Sequence, residues 1–389
     1  MKKVALLTIH MIPNCGSLLQ AWATIQCVEK FGCACTLVDY DFPTWHHQKT
    51  SEGDEHKSQS HAGFKHFMLK LGLLGLAQRV NFLRHRYFIR RRTKAFWTKF
   101  SLTPKCDYRT VGEITGYDIY LTGSDQTWNP RYMGDDHSFL LDFTPDSARR
   151  ISYAASFGCR ELPSDQHSTY GRLLSRYAAI SVREPSGVKI VQDLCGKESQ
   201  AVVDPTLLLT PRDYVCLMGD RLPQGKRFVF CYVLSYVFDA GEWAVKLAVE
   251  VARAMGVGVI FYAAEPAMAK RARAAGFEVW TGFLTVADFL ECYGKAEFVI
   301  TTSFHGTAFS LNFRKNFYSI LNPNASADDR VASFLTRFGL GARGVLPGSD
   351  VGALAHDLTV DYSEADGRLA AEREKSMAFL KQALGGENE

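Results

Sequence analysis

The sequence predicts an α/β protein of two parallel-sheet domains that face each other across a cleft. Its 389 residues exceed what one compact core usually serves, and 47% hydrophobic against 22% charged residues is typical of a folded globular protein. Short apolar segments alternate with segments of helical periodicity from end to end, which favours parallel sheets covered by helices. The stretch 211–226 contains Pro and Gly and lacks periodicity, so it predicts a linker between two domains.

The first series of elements predicts an N-terminal domain at 1–210. Apolar segments followed by Gly, Ser or Asp and then by helical periodicity indicate strand and helix units. These predicted strands lie at 4–9, 36–40, 117–121, 151–155, 180–182 and 201–203. An insert at about 44–105 interrupts them. Its polar part, 45–61, predicts a loop, whereas 64–100 carries apolar residues at helical intervals.

The second series predicts a C-terminal domain at 227–348, followed by a helical segment at 349–389. Its predicted strands lie at 228–234, 258–263, 278–280, 298–302 and 318–321. Thr285 and Asp288 match a capping box at the start of one of its helices. The last periodic segment, 363–384, predicts a helix that crosses back to brace the N-terminal domain.

The charge of the chain is segregated within the insert. Lys plus Arg number 45 against 41 Asp plus Glu, and this slight excess does not suggest nucleic-acid binding. The segment 79–99 nevertheless contains eight Lys or Arg residues and no acidic residue. A solvated helix face is the favoured interpretation. The alternative is peripheral contact with an anionic membrane surface or a lipid diphosphate.

The amino terminus and the cysteines indicate a cytoplasmic protein. The apolar stretch at 4–9 is too short for a signal peptide and predicts a first strand instead. The ten cysteines form no CxxC pair, so we expect reduced thiols. If the basic segment meets lipid, the protein would lie at the inner face of the cell membrane.

Polar residues follow the predicted strands of the first half, at the sheet edge where open α/β folds bind ligands. A glycine after the first strand would let backbone N–H groups approach an anion. After the third strand, hydrogen-bonding groups beside an aromatic ring suit a sugar, whereas a helix cap over a buried Trp128 is an equal alternative. The residues concerned are Asn14, Gly16, Gln20, Ser124, Asp125, Gln126, Trp128 and Asn129.

Charged and imidazole groups follow other strands. Arg183 and Glu184 end one strand, and an arginine there could bind carboxylate or phosphate or form a structural ion pair. His305 lies at a strand-to-helix turn, where an imidazole suits proton transfer near neutral pH. A structural hydrogen bond is the alternative for this histidine. Lys315 and Arg330 follow, and the pattern leaves two positions open for them, the same cleft or solvent.

Six segments, in order, resemble the polysaccharide pyruvyl transferase family. They are NCGSLLQAWA, DIYLTGSDQTWN, ISYAASFG, ISVREPSG, VVDPTLLL and TTSFHGTAFSLNFRKNF. The resemblance covers most of the chain and implies two Rossmann-like domains in a GT-B-like arrangement, in agreement with the strand and helix pattern. It also implies transfer of the enolpyruvyl group of phosphoenolpyruvate onto two sugar hydroxyls, which forms a cyclic pyruvate ketal and releases phosphate.

The resemblance implies roles for particular residues. His305 is the expected general acid, Arg183 the first anion-binding group, and Glu184, Asp125 and Asp204 are unranked candidates for base or orienting group. The expected donor-binding set is Arg183, Ser303, His305, Gly306, Thr307, Lys315 and Arg330. The expected acceptor-binding set is Asn14, Gly16, Gln20, Ser124, Asp125, Gln126, Trp128 and Asn129.

One position departs from the family pattern. Some members carry an arginine two residues before the histidine, where this chain has Ser303. Neutralisation of the donor's negative charges would then depend on Arg183 with Arg330 or Lys315. Otherwise the donor would be a molecule other than phosphoenolpyruvate. We expect no metal and no cofactor beyond phosphoenolpyruvate as a substrate, and a sugar or lipid-linked oligosaccharide as acceptor. A GT-B glycosyltransferase using a nucleotide sugar and an inactive glycan-binding relative are the alternatives.

Overall fold

The computed structural model describes residues 1–10, 12, 14–41, 96, 98–234, 238–324 and 330–385. The predicted loop at 45–61 and nearly all of the basic segment 79–99 lie outside these residues. A membrane contact through 79–99 therefore stays a prediction.

The N-terminal sheet is parallel and has the doubly wound strand order. The strands pair in the order β2-β1-β3-β4, where β1 is Lys3–Leu7, β2 is Ala34–Leu37, β3 is Ile119–Thr122 and β4 is Arg149–Ser152. Strands β5 (Ser181–Val182) and β6 (Gln200–Ala201) pair in parallel and continue the sheet beyond β4 through single bridges such as Ala155 to Val182. Bridges from Leu37 to Leu102 and from Tyr40 to Cys106 place 102–106 outside β2. The strand order therefore reverses between β1 and β3.

The C-terminal sheet repeats this arrangement. Its parallel strands pair in the order β12-β11-β10-β7-β8-β9. Their bounds are β7 Phe228–Val233, β8 Gly258–Ala263, β9 Glu278–Thr281, β10 Phe298–Thr301, β11 Asn316–Ile320 and β12 Gly344–Val345. The five strands predicted for this half are all present, and the two-residue edge strand β12 was not predicted. The strand order reverses between β7 and β10.

Helices connect the strands of both halves. In the first half they are α1 (Cys15–Lys30), α2 (Pro130–Met133), α3 (His167–Leu174), α4 (Pro185–Cys195) and α5 (Pro211–Tyr214). In the second they are α6 (Gly241–Met255), α7 (Pro266–Ala274), α8 (Val286–Lys295), α9 (Phe304–Asn312), α10 (Arg330–Arg337), α11 (Val351–Leu354) and α12 (Ser363–Ala383). The predicted capping box begins α8, since Thr285 Oγ1 accepts the Asp288 N–H at 3.0 Å and donates to its carboxylate at 2.7 Å. Within the described ranges, no helix is both long and apolar enough to cross a membrane.

One apolar core joins the two halves. The Tyr214 ring lies between Trp22 of α1, at 5.5 Å, and Phe309 of α9, at 5.3 Å. The Cys15 thiol donates a hydrogen bond to the Leu284 carbonyl at 3.1 Å, again across the two halves. Each of the ten cysteines is a free thiol, as predicted. These contacts fix α1 against α9, the helix that carries His305.

The last helix contacts both halves. At its start, the Tyr362 hydroxyl donates to the Ser310 carbonyl of α9 at 3.2 Å. Further along, Ser376 Oγ accepts the Val203 N–H at 3.0 Å, and the Arg149 guanidinium donates to the Ala383 carbonyl at 3.1 Å. Helix α12 therefore connects α9 of the C-terminal half to β4 and to the segment after β6 of the N-terminal half.

Candidate active site

The reversal points of the two sheets meet at the contact between α1 and α9. Asn14 caps α1 by accepting the Gly16 N–H at 2.9 Å, which places Gly16 in the first turn of the helix. A Cβ atom on Gly16 would lie 2.2 Å from Cγ of His305. The absence of a side chain at Gly16 thus admits the imidazole of the opposite half. This steric role was not predicted, and the predicted approach of an anion to the backbone N–H groups here stays a prediction.

Arg183 is buried at the carboxyl end of β5, with 4% of its surface exposed. Its Nε donates to Glu184 Oε1 at 3.0 Å, and its Nη1 donates to Asp204 Oδ2 at 3.3 Å. The guanidinium carbon lies 4.1 Å from the centre of the Phe304 ring, a cation–π contact with the other half. Nη2 is buried and has no hydrogen-bond partner among the described residues. One donor group of the guanidinium therefore remains for a ligand.

His305 is the second residue of α9, and 4% of its surface is exposed. Its Nε2 faces Asp204 Oδ2 at 3.6 Å, which is longer than a hydrogen bond. This nitrogen is buried and makes no hydrogen bond within the described part of the chain. Since Arg183 Nη1 and His305 Nε2 both approach the same carboxylate oxygen, the structure brings the two predicted catalytic residues together from opposite halves.

Asp204 lies between these two groups with a fully buried side chain. Its Oδ2 also accepts a hydrogen bond from Ser124 Oγ at 2.8 Å. Burial by itself would raise the pKa of this carboxyl, but the neighbouring His305 and Arg183 and the hydrogen bond from Thr206 outweigh it and hold the pKa well below its usual value. Asp204 is therefore a carboxylate at neutral pH.

Two further carboxylates lie at the same sheet edge. Glu184 Oε1 accepts hydrogen bonds from Ser156 Oγ at 2.8 Å and from Arg183. Asp125 accepts from Ser17 Oγ at 2.5 Å and has a φ of 74°, in the left-handed region that a non-glycine residue rarely adopts. Such strained residues concentrate at functional sites. The candidates named for base or orienting group thus all lie near the arginine and the imidazole.

A cavity of about 20 Å³ opens beside this cluster, which is room for about one water molecule and well below the usual volume of a small-molecule site. Arg330, the first residue of α10, lines this cavity together with Arg183. Apolar rings form part of the wall. The lining residues used below are Arg183, Glu184, Asp204, Phe304, Arg330 and Phe334.

Four residues predicted to bind the acceptor have structural roles instead. Trp128 is fully buried, donates to the Phe139 carbonyl at 3.1 Å and packs against core aromatic rings, so its predicted sugar contact is wrong. Gln20 is also fully buried, and its amide nitrogen donates to Thr8, Ile9 and Ser17. Asn129 caps α2, and Asn14 caps α1.

The other predicted acceptor residues lie closer to the cluster. Ser124 donates to Asp204, Asp125 accepts from Ser17, and Gly16 contacts His305. Gln126 Oε1 accepts from Asn129 Nδ2 at 2.6 Å, and this amide pair packs over Gly158. Contact between these residues and an acceptor stays a prediction.

The predicted donor set also divides. Ser303 caps α9 by accepting the Gly306 N–H at 3.3 Å, and Gly306 packs so tightly on Thr301 that an added Cβ would lie 2.2 Å from its Oγ1. The Thr307 hydroxyl shares a hydrogen bond of 2.7 Å with Ser319 in the core, so its predicted contact with the donor is wrong. Arg183 and Arg330 line the cavity, and His305 lies beside the lining residue Asp204.

Lys315 is the clearest correction to the donor set. It lies just before β11, at the amino end of that strand, because α9 runs away from the cleft for its whole length. Its ammonium donates to the carbonyls of Gly294 and Ala296, at 2.8 and 2.9 Å, at the end of α8. Lys315 therefore caps a helix and does not reach the cavity.

The stability of the protein should depend on pH through Lys315. Burial lowers the pKa of its ammonium to about 8, below the value of about 10.4 expected in the unfolded chain. Between these values the unfolded chain binds the additional proton, so the free energy of unfolding contributed by this residue rises as the pH rises. Against Lys315→Met, we expect the wild type to gain roughly 1–2 kcal/mol between pH 7.5 and 10 in urea unfolding. A parallel pH dependence in both proteins would contradict the burial of a titrating ammonium.

Several residues of the cluster were not selected from the sequence. Ser17, Ser156 and Thr206 orient the three carboxylates, and Phe304 packs on the arginine. Small hydroxyl residues are frequent in loops, so only their position after a strand offered a signal. Asp204 was named but not ranked, although Asp-Pro directly after a strand is a marked feature of the sequence.

Within the described residues, no three His, Cys, Asp or Glu side chains are grouped as metal ligands would be.

Comparisons with known proteins agree with the two-domain fold. A family model described as polysaccharide pyruvyl transferase matches residues 14–324. Among solved structures, the chain is similar to S. aureus MnaA bound to UDP, with a TM-score of 0.56 and 11% identity over 100% of this chain and 98% of that chain. It is also similar to the UDP-N-acetylglucosamine 2-epimerase of Rickettsia bellii, with a TM-score of 0.55 and 9% identity over 99% and 95% of the two chains. No match was found among curated proteins. The predicted GT-B-like α/β fold is confirmed.

Proposed function

The chain belongs to the polysaccharide pyruvyl transferase family, and on this premise we propose that it transfers the enolpyruvyl group of phosphoenolpyruvate to a sugar. The sugar is part of a cell-surface polysaccharide or its lipid-linked precursor. Two of its hydroxyls become bridged by a cyclic pyruvate ketal, and inorganic phosphate is released. In this proposal phosphoenolpyruvate is a substrate, and the reaction requires no separate cofactor.

The observation that carries this proposal is the convergence of Arg183 and His305 on one carboxylate. Phosphoenolpyruvate brings a carboxylate and a phosphate, and a dry site can hold both only if cations and hydrogen-bond donors are in place. Arg183 Nη2 and His305 Nε2 are buried and have no hydrogen-bond partners among the residues that the structure describes, and Arg183 lines the cavity. Arg330 adds a second guanidinium at the cavity wall.

The groups present support a two-stage reaction. In the first stage, a sugar hydroxyl attacks the central carbon of the donor, a base takes the hydroxyl proton, and His305 protonates the methylene carbon to give a methyl group. In the second stage, phosphate leaves as the second hydroxyl attacks the same carbon. The proton of that hydroxyl leaves with the phosphate. Transfer of the first hydroxyl proton from the base to His305 restores both groups, so over one cycle the two hydroxyl protons end on the methyl group and on phosphate.

Glu184 is the carboxylate that we assign to the hydroxyl proton. It lines the cavity, and Ser156 and Arg183 donate to its Oε1, so Oε2 is the oxygen to which we assign the hydroxyl proton. The side chain of Asp204 is fully buried behind Arg183 and His305. Asp125 Oδ2 is held by Ser17 and its Oδ1 by the Gln126 N–H.

The proposal is tested by incubating the protein with phosphoenolpyruvate and a panel of nucleotide-linked and lipid-linked sugars. Phosphate release that depends on both substrates, together with a product of the mass of a pyruvate ketal, would support it. The glycosyltransferase alternative predicts release of a nucleoside diphosphate from a nucleotide sugar without phosphoenolpyruvate. Glycan binding with neither release would favour an inactive relative.

Arg183→Lys should raise the KM for phosphoenolpyruvate about tenfold. The guanidinium uses two nitrogens for Glu184 and Asp204 and keeps a third for the donor, and a single ammonium cannot make all three contacts. Steady-state phosphate release at saturating acceptor measures the change. Arg227→Lys is the matched control, since Arg227 pairs with Glu297 on the exposed surface. An unchanged donor KM in Arg183→Lys would contradict the role of Arg183.

A further inference from the structure

Asp204 is held rigidly by its own turn. It lies three residues after the end of β6 and caps a short 3-10 turn at Pro205–Leu207. Its Oδ1 accepts the Thr206 N–H at 3.0 Å and the Thr206 hydroxyl at 2.7 Å. One carboxylate oxygen is therefore used to fix the side chain, and the other is directed at its neighbours.

That second oxygen links the two halves of the molecule. Oδ2 accepts from Ser124 and Arg183 of the first half and lies 3.6 Å from His305 Nε2 of the second. A single buried negative charge thus neutralises the guanidinium and faces the imidazole. Because both of its oxygens accept hydrogen bonds from protein groups, this carboxylate acts on its neighbours and not on the acceptor.

The distance between this oxygen and the imidazole is also fixed from the other end of α9. Asn312, the last residue of α9, donates from Nδ2 to the carbonyls of Thr206 and Leu209, at 3.0 and 2.9 Å. Arg373 of α12 donates to Asn312 Oδ1 at 2.8 Å. The same turn, 204–209, therefore contacts both the first and the last turn of the helix that carries His305.

We propose, on the premise of the function proposed above, that Asp204 is a positioning residue that holds Arg183 and His305 at the separation one anionic donor can bridge. The carboxylate does not bind the donor. It repels the donor's negative charges and so lowers the affinity for the donor. At the same time it holds in place the two groups that act on the bound donor. Anion affinity and turnover should then respond in opposite directions when the charge is removed.

Asp204→Asn tests this separation of effects. Removal of the buried charge should lower the Kd for phosphoenolpyruvate and for inorganic phosphate about threefold to tenfold, because a repulsion is lost. Turnover at saturating donor and acceptor should fall about thirtyfold, because the imidazole and the guanidinium lose their shared partner. Isothermal titration without acceptor measures the affinities, and phosphate release measures kcat. Weaker anion binding in the folded variant, or unchanged turnover, would overturn the proposal.

Ser124→Ala supplies a second test that keeps the charge. It removes one hydrogen bond to Asp204 Oδ2, so we expect a threefold to tenfold lower kcat with anion affinity within twofold of the wild type. Wild-type turnover in this variant would count against the proposal even if Asp204→Asn fails to fold.

Glu291→Gln is the matched control for loss of a buried carboxylate. Glu291 is 1% exposed and accepts from Lys295 and from the backbone of Arg221 and Leu222, so its loss should lower stability only. If Glu291→Gln reproduces the affinity and turnover changes of Asp204→Asn, those changes reflect general destabilisation and the proposal fails. Absence of turnover in the wild type would contradict the proposed function, whereas the anion affinities would still decide the role of Asp204.

Discussion

His305→Gln should retain the fold and lose at least about a thousandfold in turnover, within the range that general acid catalysis contributes. The imidazole Nε2 is buried at the point where the two halves meet, and in the described residues no group takes up its hydrogen-bonding capacity. Glutamine occupies a similar volume and still donates hydrogen bonds. It cannot deliver a proton to the methylene carbon of the donor, so chemistry should stop while donor binding persists.

Two measurements separate these effects for His305→Gln. Isothermal titration should give a Kd for phosphoenolpyruvate within about fivefold of the wild type, since the guanidinium of Arg183 remains. Phosphate release in the presence of donor and acceptor should fall at least about a thousandfold. His356→Gln, at an exposed position after α11, is the control and should be fully active. Turnover close to the wild type in His305→Gln would remove this histidine from the mechanism.

The alternation of strands and helices was readable from the sequence, because a strand buried on both faces must be apolar throughout. This regularity located the strands of both halves and hence the sheet edge at which His305, Arg183 and Asp125 lie. It did not reveal β12, since two residues at a sheet edge carry too little apolar character to be distinguished from a loop.

The direction of individual side chains was not readable. Trp128 lies in a loop at the correct sheet edge, yet its ring turns into the core, and only the packing of Phe157 and Tyr177 around it decides this. The predicted position of Lys315 in the donor-binding set could have been rejected from the sequence. The nine residues of α9 carry the chain about 13 Å away from the cleft before Lys315 is reached, at 1.5 Å per helical residue.

The meaning of Gly16 depends on a contact that the sequence does not contain. A glycine in the first turn of a helix is compatible with anion binding, with a cap or with close packing, and the pattern around it does not distinguish them. Its partner, His305, belongs to the other domain. Only the packing of α1 against α9 shows that the missing side chain makes room for the imidazole.

Gly16→Ala should lower turnover about a hundredfold and destabilise the protein by about 1–3 kcal/mol, the usual cost of overpacking a tight site. The added Cβ would lie 2.2 Å from Cγ and 2.4 Å from Cβ of His305. Rotation of the imidazole cannot relieve a contact with its own Cβ, so the backbone of α9 must move away from α1. That movement would separate the imidazole from Asp204 and Arg183.

A Gly-to-Ala replacement in a helix normally stabilises a protein, because alanine is a better helix former than glycine by about 1 kcal/mol. A loss of stability in Gly16→Ala would therefore be opposite in sign to the usual effect. Gly367→Ala in α12 is the matched control, since an added Cβ there meets no atom within 4 Å. We expect Gly367→Ala to raise the free energy of unfolding by about 0.5–1 kcal/mol and to leave kcat unchanged. Urea unfolding and phosphate release on both variants give the comparison. If Gly16→Ala behaves like Gly367→Ala, the two halves are not in this close contact in the working protein, and the convergence of Arg183 and His305 on Asp204 would not describe its active state.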